Sequence, residues 1–149
     1  MVIRDIMTPT VVTAAMHTPV REVAEIMRER NVGAVILCAD DGTPAGFITD
    51  RDVAVSVVAA GRDVAGSAGE HASTPVVTGE PAMDLQEAAT LMARFGIRRL
   101  PVLEDGRLAG IVTLDDIAVR TADPALQSSL TATITRSALP EFYFHQRGG

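Results

Sequence analysis

The chain carries one segment twice. Gly46-Phe47-Ile48-Thr49-Asp50-Arg51-Asp52-Val53-Ala54-Val55 returns as Gly110-Ile111-Val112-Thr113-Leu114-Asp115-Asp116-Ile117-Ala118-Val119. Two similar units in one chain usually bury their faces against each other, so a repeat constrains the fold more than a single motif does. The match extends backwards. Val11-Val12-Thr13 returns as Val76-Val77-Thr78, and Val20, Glu22, Ala24 and Met27 return as Leu85, Glu87, Ala89 and Met92, each 65 residues on. At the glycines the spacing is 64, and the lost residue falls in Asp40–Pro44 against Glu104–Arg107. An Asp-Gly step between two apolar runs signals a hairpin turn, where length varies at little cost.

Each copy reads as β-α-β-β-α, giving an α/β (α+β) fold. A first strand, Val11–Thr13 or Val76–Thr78, is followed by Pro19 or Pro81 near a helix start. The helix carries Val20, Val23, Ala24, Ile26 and Met27, or Leu85, Ala88, Ala89, Leu91 and Met92, at helical spacing. Asn31 and Gly96 suit its C-terminal stop. A hairpin follows, Ala34–Cys38 with Ala45–Thr49 and later Arg99–Leu103 with Leu108–Thr113, and a second helix starts after each Thr.

The sequence thus divides into residues 1–61, the first repeat with its lead-in Val2–Met7; residues 62–122, a Gly/Ala/Ser-rich linker and the second repeat; and residues 123–149, a C-terminal helix and tail. Asp123 suits a helix cap and Pro124 the first helical position. Leu126, Leu130 and Ile134 then share one face, which either packs on its own module or forms a dimer contact. Beyond Pro140, Phe142, Tyr143 and Phe144 are three of the five aromatic residues, so the core is aliphatic; Gly148-Gly149 reads as frayed.

Composition excludes several classes. Neither a membrane-spanning apolar run nor an N-terminal signal pattern is present, so a cytoplasmic, soluble protein is expected. The net charge of −6 is spread over both halves without a basic block, which argues against nucleic acid. Cys38 has no disulfide partner and reads as a buried structural thiol. His17, His71 and His145 lack ligand spacing with one another or with Cys38, so no metal is expected.

The repeated Thr-x-x-Asp admits two readings. A Thr before a helix with an acid three residues on is a capping box, in which each side chain satisfies an orphan backbone N–H. The same geometry suits a ligand. A helix N-terminus offers free N–H groups and partial positive charge to a phosphate, and a carboxylate one turn on accepts both hydroxyls of a ribose diol. These are the parts for the ribose-phosphate portion of a nucleotide.

Tandem β-α-β-β-α units ending in Gly-h-h-Thr-x-x-Asp, where h is apolar, resemble a pair of cystathionine-β-synthase (CBS) domains, or Bateman module. Arg4-Asp5-Ile6-Met7-Thr8-Pro9 and Ile97-Arg98-Arg99-Leu100-Pro101-Val102 are also typical of that family. The resemblance covers roughly residues 3–120. It implies two repeats packed pseudo-symmetrically through their sheets, with clefts for an adenosine-containing ligand such as AMP, ADP, ATP, NAD or S-adenosylmethionine. Asp52 and Asp116 would hold the ribose diol, Thr49 and Thr113 the ribose or α-phosphate, and Arg98 and Arg99 the phosphates. Val11–Thr13 and Val76–Thr78 would border the adenine. The resemblance also implies a homodimer.

The copies differ. Arg98 and Arg99 align with Gly33 and Ala34, while Leu114 and Asp115 replace Asp50 and Arg51. Unequal clefts are therefore expected, with Arg51 either neutralising a phosphate or pairing with a helix acid. Three functional classes follow: a regulatory nucleotide-binding module acting on a protein partner, a structural module whose motifs only cap helices, and an enzyme. The enzyme is disfavoured, because no nucleophile–base pair, metal set or Gly-rich phosphate loop is visible.

Overall fold

The structure, a computed structural model, describes residues 1–133 of the chain. They form two compact units whose boundaries do not follow those of the sequence repeats. One comprises Thr10–Val77 with the hairpin tip Glu104–Leu108; the other comprises Met1–Pro9, Thr78–Leu103 and the chain from Ala109.

The first-repeat unit contains β1 (Thr13–Ala15), α1 (Val20–Arg30), β2 (Ala34–Cys38), β3 (Pro44–Thr49) and α2 (Asp50–Asp52). β2 is central, parallel to β1 and antiparallel to β3, so that Ile36 lies opposite both Thr13 and Phe47. Helical spacing puts Val20, Val23 and Met27 of α1 on one face, where they cluster with Val35, Leu37 and Ile48. α1 stops where expected. Asn31 turns left-handed at φ 52°, and the Val32 N–H returns to the Met27 carbonyl at 3.1 Å.

The second-repeat unit contains α3 (Leu85–Phe95), β4 (Arg99–Glu104) and β5 (Arg107–Thr113) apart from their shared tip, α4 (Leu114–Arg120) and α5, residues 124–133. Asp84 caps α3 by accepting the Gln86 N–H at 2.8 Å, and Gly96 ends it at φ 63°. Pro81 is thus three residues before this cap, whereas Pro19 is itself at the start of α1. At the β4–β5 turn, Asp105 and Gly106 both have positive φ (52° and 76°), the conformation that joins twisted antiparallel strands in two residues. The expected α5 cap is present: Asp123 Oδ1 accepts from the N–H groups of Ala125 (2.9 Å) and Leu126 (3.3 Å). Leu126 and Leu130 are buried, so this face packs on its own unit. Ile134, Pro140, Phe142, Tyr143, Phe144, His145, Gly148 and Gly149 lie outside the described residues.

Three elements differ from expectation. β1 begins at Thr13, two residues late, and Val76–Thr78 form no strand; the equivalent pairing is one parallel bridge between Gly79 and Val102. A Cβ on Gly79 would lie 2.8 Å from Leu100 Cδ2 and 3.2 Å from Ile3 Cδ1, so close packing sets that residue. After α2 the helix widens to π winding over Val53–Val58, with Ala59 N–H to Ala54 carbonyl (2.9 Å) and Arg62 N–H to Val57 carbonyl (2.8 Å). Four of those six residues are valines, which are stiff and crowded in a helix.

The third difference is that the repeats exchange their lead-ins. The lead-in Val2–Met7 does not stay with residues 1–61. The Ile3 N–H donates to the Met83 carbonyl (2.8 Å), Arg4 to Pro81 (3.0 Å), and Thr8 and Ile111 bond each other twice at 2.9 Å. Sixty-five residues on, the linker repeats this on the first-repeat unit. Ala68 donates to Thr18 (2.8 Å), Gly69 to Met16 (2.8 Å), and Ser73 and Phe47 bond each other at 2.8 and 3.0 Å. Each lead-in includes a short 3₁₀ turn, Ile3–Asp5 or Ala68–His71, and contributes one fully buried side chain, Ile3 or Ala68. The physical reason is unpaired edge: each hairpin's outer strand offers backbone groups that must be satisfied when buried.

Cys38, at the end of β2, is half-buried and free. Burial and then the Asp41 carboxylate raise its thiol above the ordinary cysteine range. Because the thiolate is the nucleophile, Cys38 should react with a disulfide reagent at neutral pH several-fold more slowly than free cysteine. A rate equal to that of free cysteine in the native protein would contradict this placement.

Candidate functional site

Both Thr-x-x-Asp motifs fold alike. Thr49 ends β3 and Thr113 ends β5, with nearly identical extended backbones (φ −110°, ψ 163° and φ −109°, ψ 159°). The Thr49 N–H donates to Asp52 Oδ2 at 2.8 Å, and the Asp52 N–H donates to Thr49 Oγ1 at 3.2 Å. Both corresponding bonds between Thr113 and Asp116 are 3.0 Å. These are complete capping boxes. They do not consume the motif's chemistry. Each carboxylate uses Oδ2 and leaves Oδ1 outside the box, while each threonine hydroxyl acts there only as acceptor and keeps its proton to donate. All four residues are half-buried.

The glycine opening each motif has a steric reason. A Cβ on Gly110 would lie 2.8 Å from the Thr8 carbonyl oxygen and 2.9 Å from Met7 Sδ; one on Gly46 would lie 3.0 Å from Ala72 Cβ and 3.2 Å from Met16 Sδ. The lead-ins therefore run directly beside the strand that ends in each Thr. Met7-Thr8 flank the second motif, and Ala72-Ser73 flank the first. Sequence reasoning did not place these residues beside the opposite motif. The available signal was the 65-residue spacing carried into the lead-ins, blurred because Ile3 aligns with Ala68 and Met7 with Ala72.

Arg98 stands at the N-terminus of α4, in the same unit as Thr113 and Asp116. Its carbonyl accepts the Leu114 N–H at 2.9 Å, as the Gly33 carbonyl accepts the Asp50 N–H at 3.0 Å in the other copy. Its guanidinium contacts both oxygens of Asp115, at 3.3 and 3.4 Å, through one nitrogen. Both side chains are about half exposed (43% and 58%), a setting in which an ion pair contributes only about 0–1 kcal/mol. Arg99 is exposed at the start of β4. In the first-repeat unit no arginine occupies the Gly33 position, and Arg51 makes no ion pair among the described residues. Thr49 and Asp52 thus stand without Arg98 and Arg99 in their unit, and Thr113 and Asp116 stand with both.

Two copies of one family model, the CBS domain, match residues 3–59 and 68–122. The chain belongs to the CBS domain family. Among relatives of this CBS domain protein is the CBS domain-containing protein YhcV of Bacillus subtilis, 41% identical over 117 residues, covering 78% of this chain and 83% of that one. Hypoxic response protein 1 of Mycobacterium tuberculosis is 35% identical over 137 residues, 91% of this chain and 96% of its own. A crystal structure of Hypoxic Response Protein I with two coordinated zinc ions superposes with a TM-score of 0.73 at 36% identity, covering 81% and 99% of the two chains. The CBS domain protein PAE2072 from Pyrobaculum aerophilum, complexed with AMP, superposes with a TM-score of 0.73 at 25% identity, covering 89% and 99%. Among the described residues here, no group of three or more His, Cys, Asp or Glu side chains could hold a metal ion. No helix among them is long and apolar enough to cross a membrane.

Proposed function

We propose that this CBS domain protein is a regulatory module that binds an adenosine-containing ligand and is not itself an enzyme. The observation that carries this reading is the free chemistry of the capping boxes: Asp116 Oδ1 and the Thr113 hydroxyl proton remain available after the helix is capped. A carboxylate oxygen and a hydroxyl beside a helix N-terminus match a ribose diol and a phosphate. The AMP complex of PAE2072 supports the ligand class. AMP, ADP, ATP, NAD and S-adenosylmethionine share the adenosyl group that such a site would read.

The sites are unequal. Arg98 adds a cation at α4 that the Gly33 position cannot supply, so the Thr113–Asp116 site binds more tightly than Thr49–Asp52. Its existing partner Asp115 is exchangeable, because a half-exposed pair is weak. Ligand binding then acts through the packing of a homodimer on a protein partner. Calorimetric titration with AMP, ATP, NAD and S-adenosylmethionine tests this reading. One tight and one weak or silent site per chain is expected; two equal sites would contradict the inequality. No heat, and no thermal shift at millimolar concentration of any of the four, would favour the second reading, a structural module whose motifs are caps alone. The completeness of both caps without ligand is what favours that alternative.

A further inference from the structure

The second-repeat unit contains a groove that shares Arg98 with the nucleotide reading and otherwise lies outside it. It has a volume of about 450 Å³, within the range of small-molecule sites, and lies between α3, the turn after it, the start of α4, and α5. Its floor is aliphatic: Ala89, Met92, Ile97, Leu114, Leu126 and Leu130. Two of the three hydroxyls along its rim are already engaged, since Thr90 and Thr133 donate to the carbonyls of Gln86 (2.9 Å) and Ser129 (3.0 Å) in their own helices, which leaves the Ser129 hydroxyl. Among the described residues, the one cationic side chain lining it is Arg98. That guanidinium holds Asp115 through a single nitrogen, at distances longer than the roughly 2.7–2.9 Å of a strong charge-assisted bond.

We propose that this groove binds a small amphipathic anion, an apolar body ending in a carboxylate or sulfonate, with Arg98 receiving the charged end. The apolar body replaces water along the floor, which is the main favourable term. The anion displaces Asp115, at little cost for a half-exposed pair. Leu114 ties the groove to the motif, since it lines the floor and directly follows Thr113.

Anilinonaphthalene sulfonate, added to the full chain and followed by fluorescence, is the probe, with decanoate as competitor. Saturable binding at one site per chain is expected, displaced by decanoate. Ala93→Trp fills the groove from an exposed helix position and should weaken binding by about tenfold or more; Arg98→Gln should weaken it by about fivefold. Ser129→Trp, from the opposite wall, serves if Ala93→Trp fails to fold. Ala93 is no part of the Thr113–Asp116 pair, so this test can fail while nucleotide binding stands. Unchanged probe affinity in the folded groove-filling variant, or no displacement by decanoate, would overturn the assignment. So would tighter probe binding after Phe142→Ser and Phe144→Ser, which would make the chain's own C-terminal residues the occupant. Probe affinity that falls as protein concentration rises would also overturn it, in favour of a second copy.

Discussion

Replacing Asp116 by Asn should weaken AMP binding by about a hundredfold while leaving the fold intact. Asparagine keeps one side-chain oxygen, enough to accept the Thr113 N–H and preserve the helix cap. It exchanges the second oxygen for a donor, which cannot accept a ribose hydroxyl and presents hydrogen to hydrogen. A hydrogen bond to a charged group is worth about 1.5–3 kcal/mol, and losing a diol contact to a carboxylate lies at the upper end, near the 2.7 kcal/mol of a hundredfold change. Calorimetry with AMP, set beside urea unfolding of the same variant, separates the roles. Asp52→Asn should give a much smaller change in total affinity, because its unit lacks Arg98. Should Asp116→Asn bind AMP as tightly as the parent, the motif would be a cap and the nucleotide reading would fall.

The second large effect concerns stability. Ile3→Ala should lower the unfolding free energy by about 2–5 kcal/mol, the range for removing a buried aliphatic side chain and leaving a cavity. Ile3 is fully buried, and it packs where Gly79 and Leu100 have no room for another atom. Ala68→Gly, the equivalent change in the other unit, removes one methyl and should cost about 1–2 kcal/mol, including glycine's greater loss of backbone freedom. Urea titration followed by circular dichroism measures both. A loss below about 0.5 kcal/mol for Ile3→Ala would mean that the N-terminal segment does not hold its unit together.

Much of the fold was legible because local chemistry and pattern agree. Asn31 and Gly96 stop their helices, Asp105-Gly106 turns a hairpin, Asp123 caps α5, and Thr49 and Thr113 cap α2 and α4. What escaped depends on contacts distant in sequence. The pairing of Thr8 with Ile111 joins residues more than a hundred apart, and no local signal reveals it. The strand expected at Val76–Thr78 fails although its residues favour strands, because pairing shifts to Gly79 under Ile3. The π winding after Asp52 was equally hidden, since its twin from Ile117 keeps ordinary helical winding. At the site, Thr49 with Asp52 and Thr113 with Asp116 form the two matching capping boxes that their spacing announces. That Arg98 holds Asp115 depends on how β4 and α4 meet, which residue spacing does not specify.

The exchanged lead-ins also bear on how such a chain could arise and how it can be cut. A chain cut after residue 61 would lack Ala68 and Ser73, which complete its own sheet and core, and would carry a lead-in suited to the absent half. The separable pieces of this molecule are therefore not its repeats. Two single-repeat chains making the same trade would each lend an N-terminal arm to the other, and neither would be complete alone. Joining them end to end turns that obligate partnership into an intramolecular one, no longer subject to dilution. The duplicated halves are then free to diverge in sequence, as Arg98 and Gly33 have, while each remains bound to the arm the other provides.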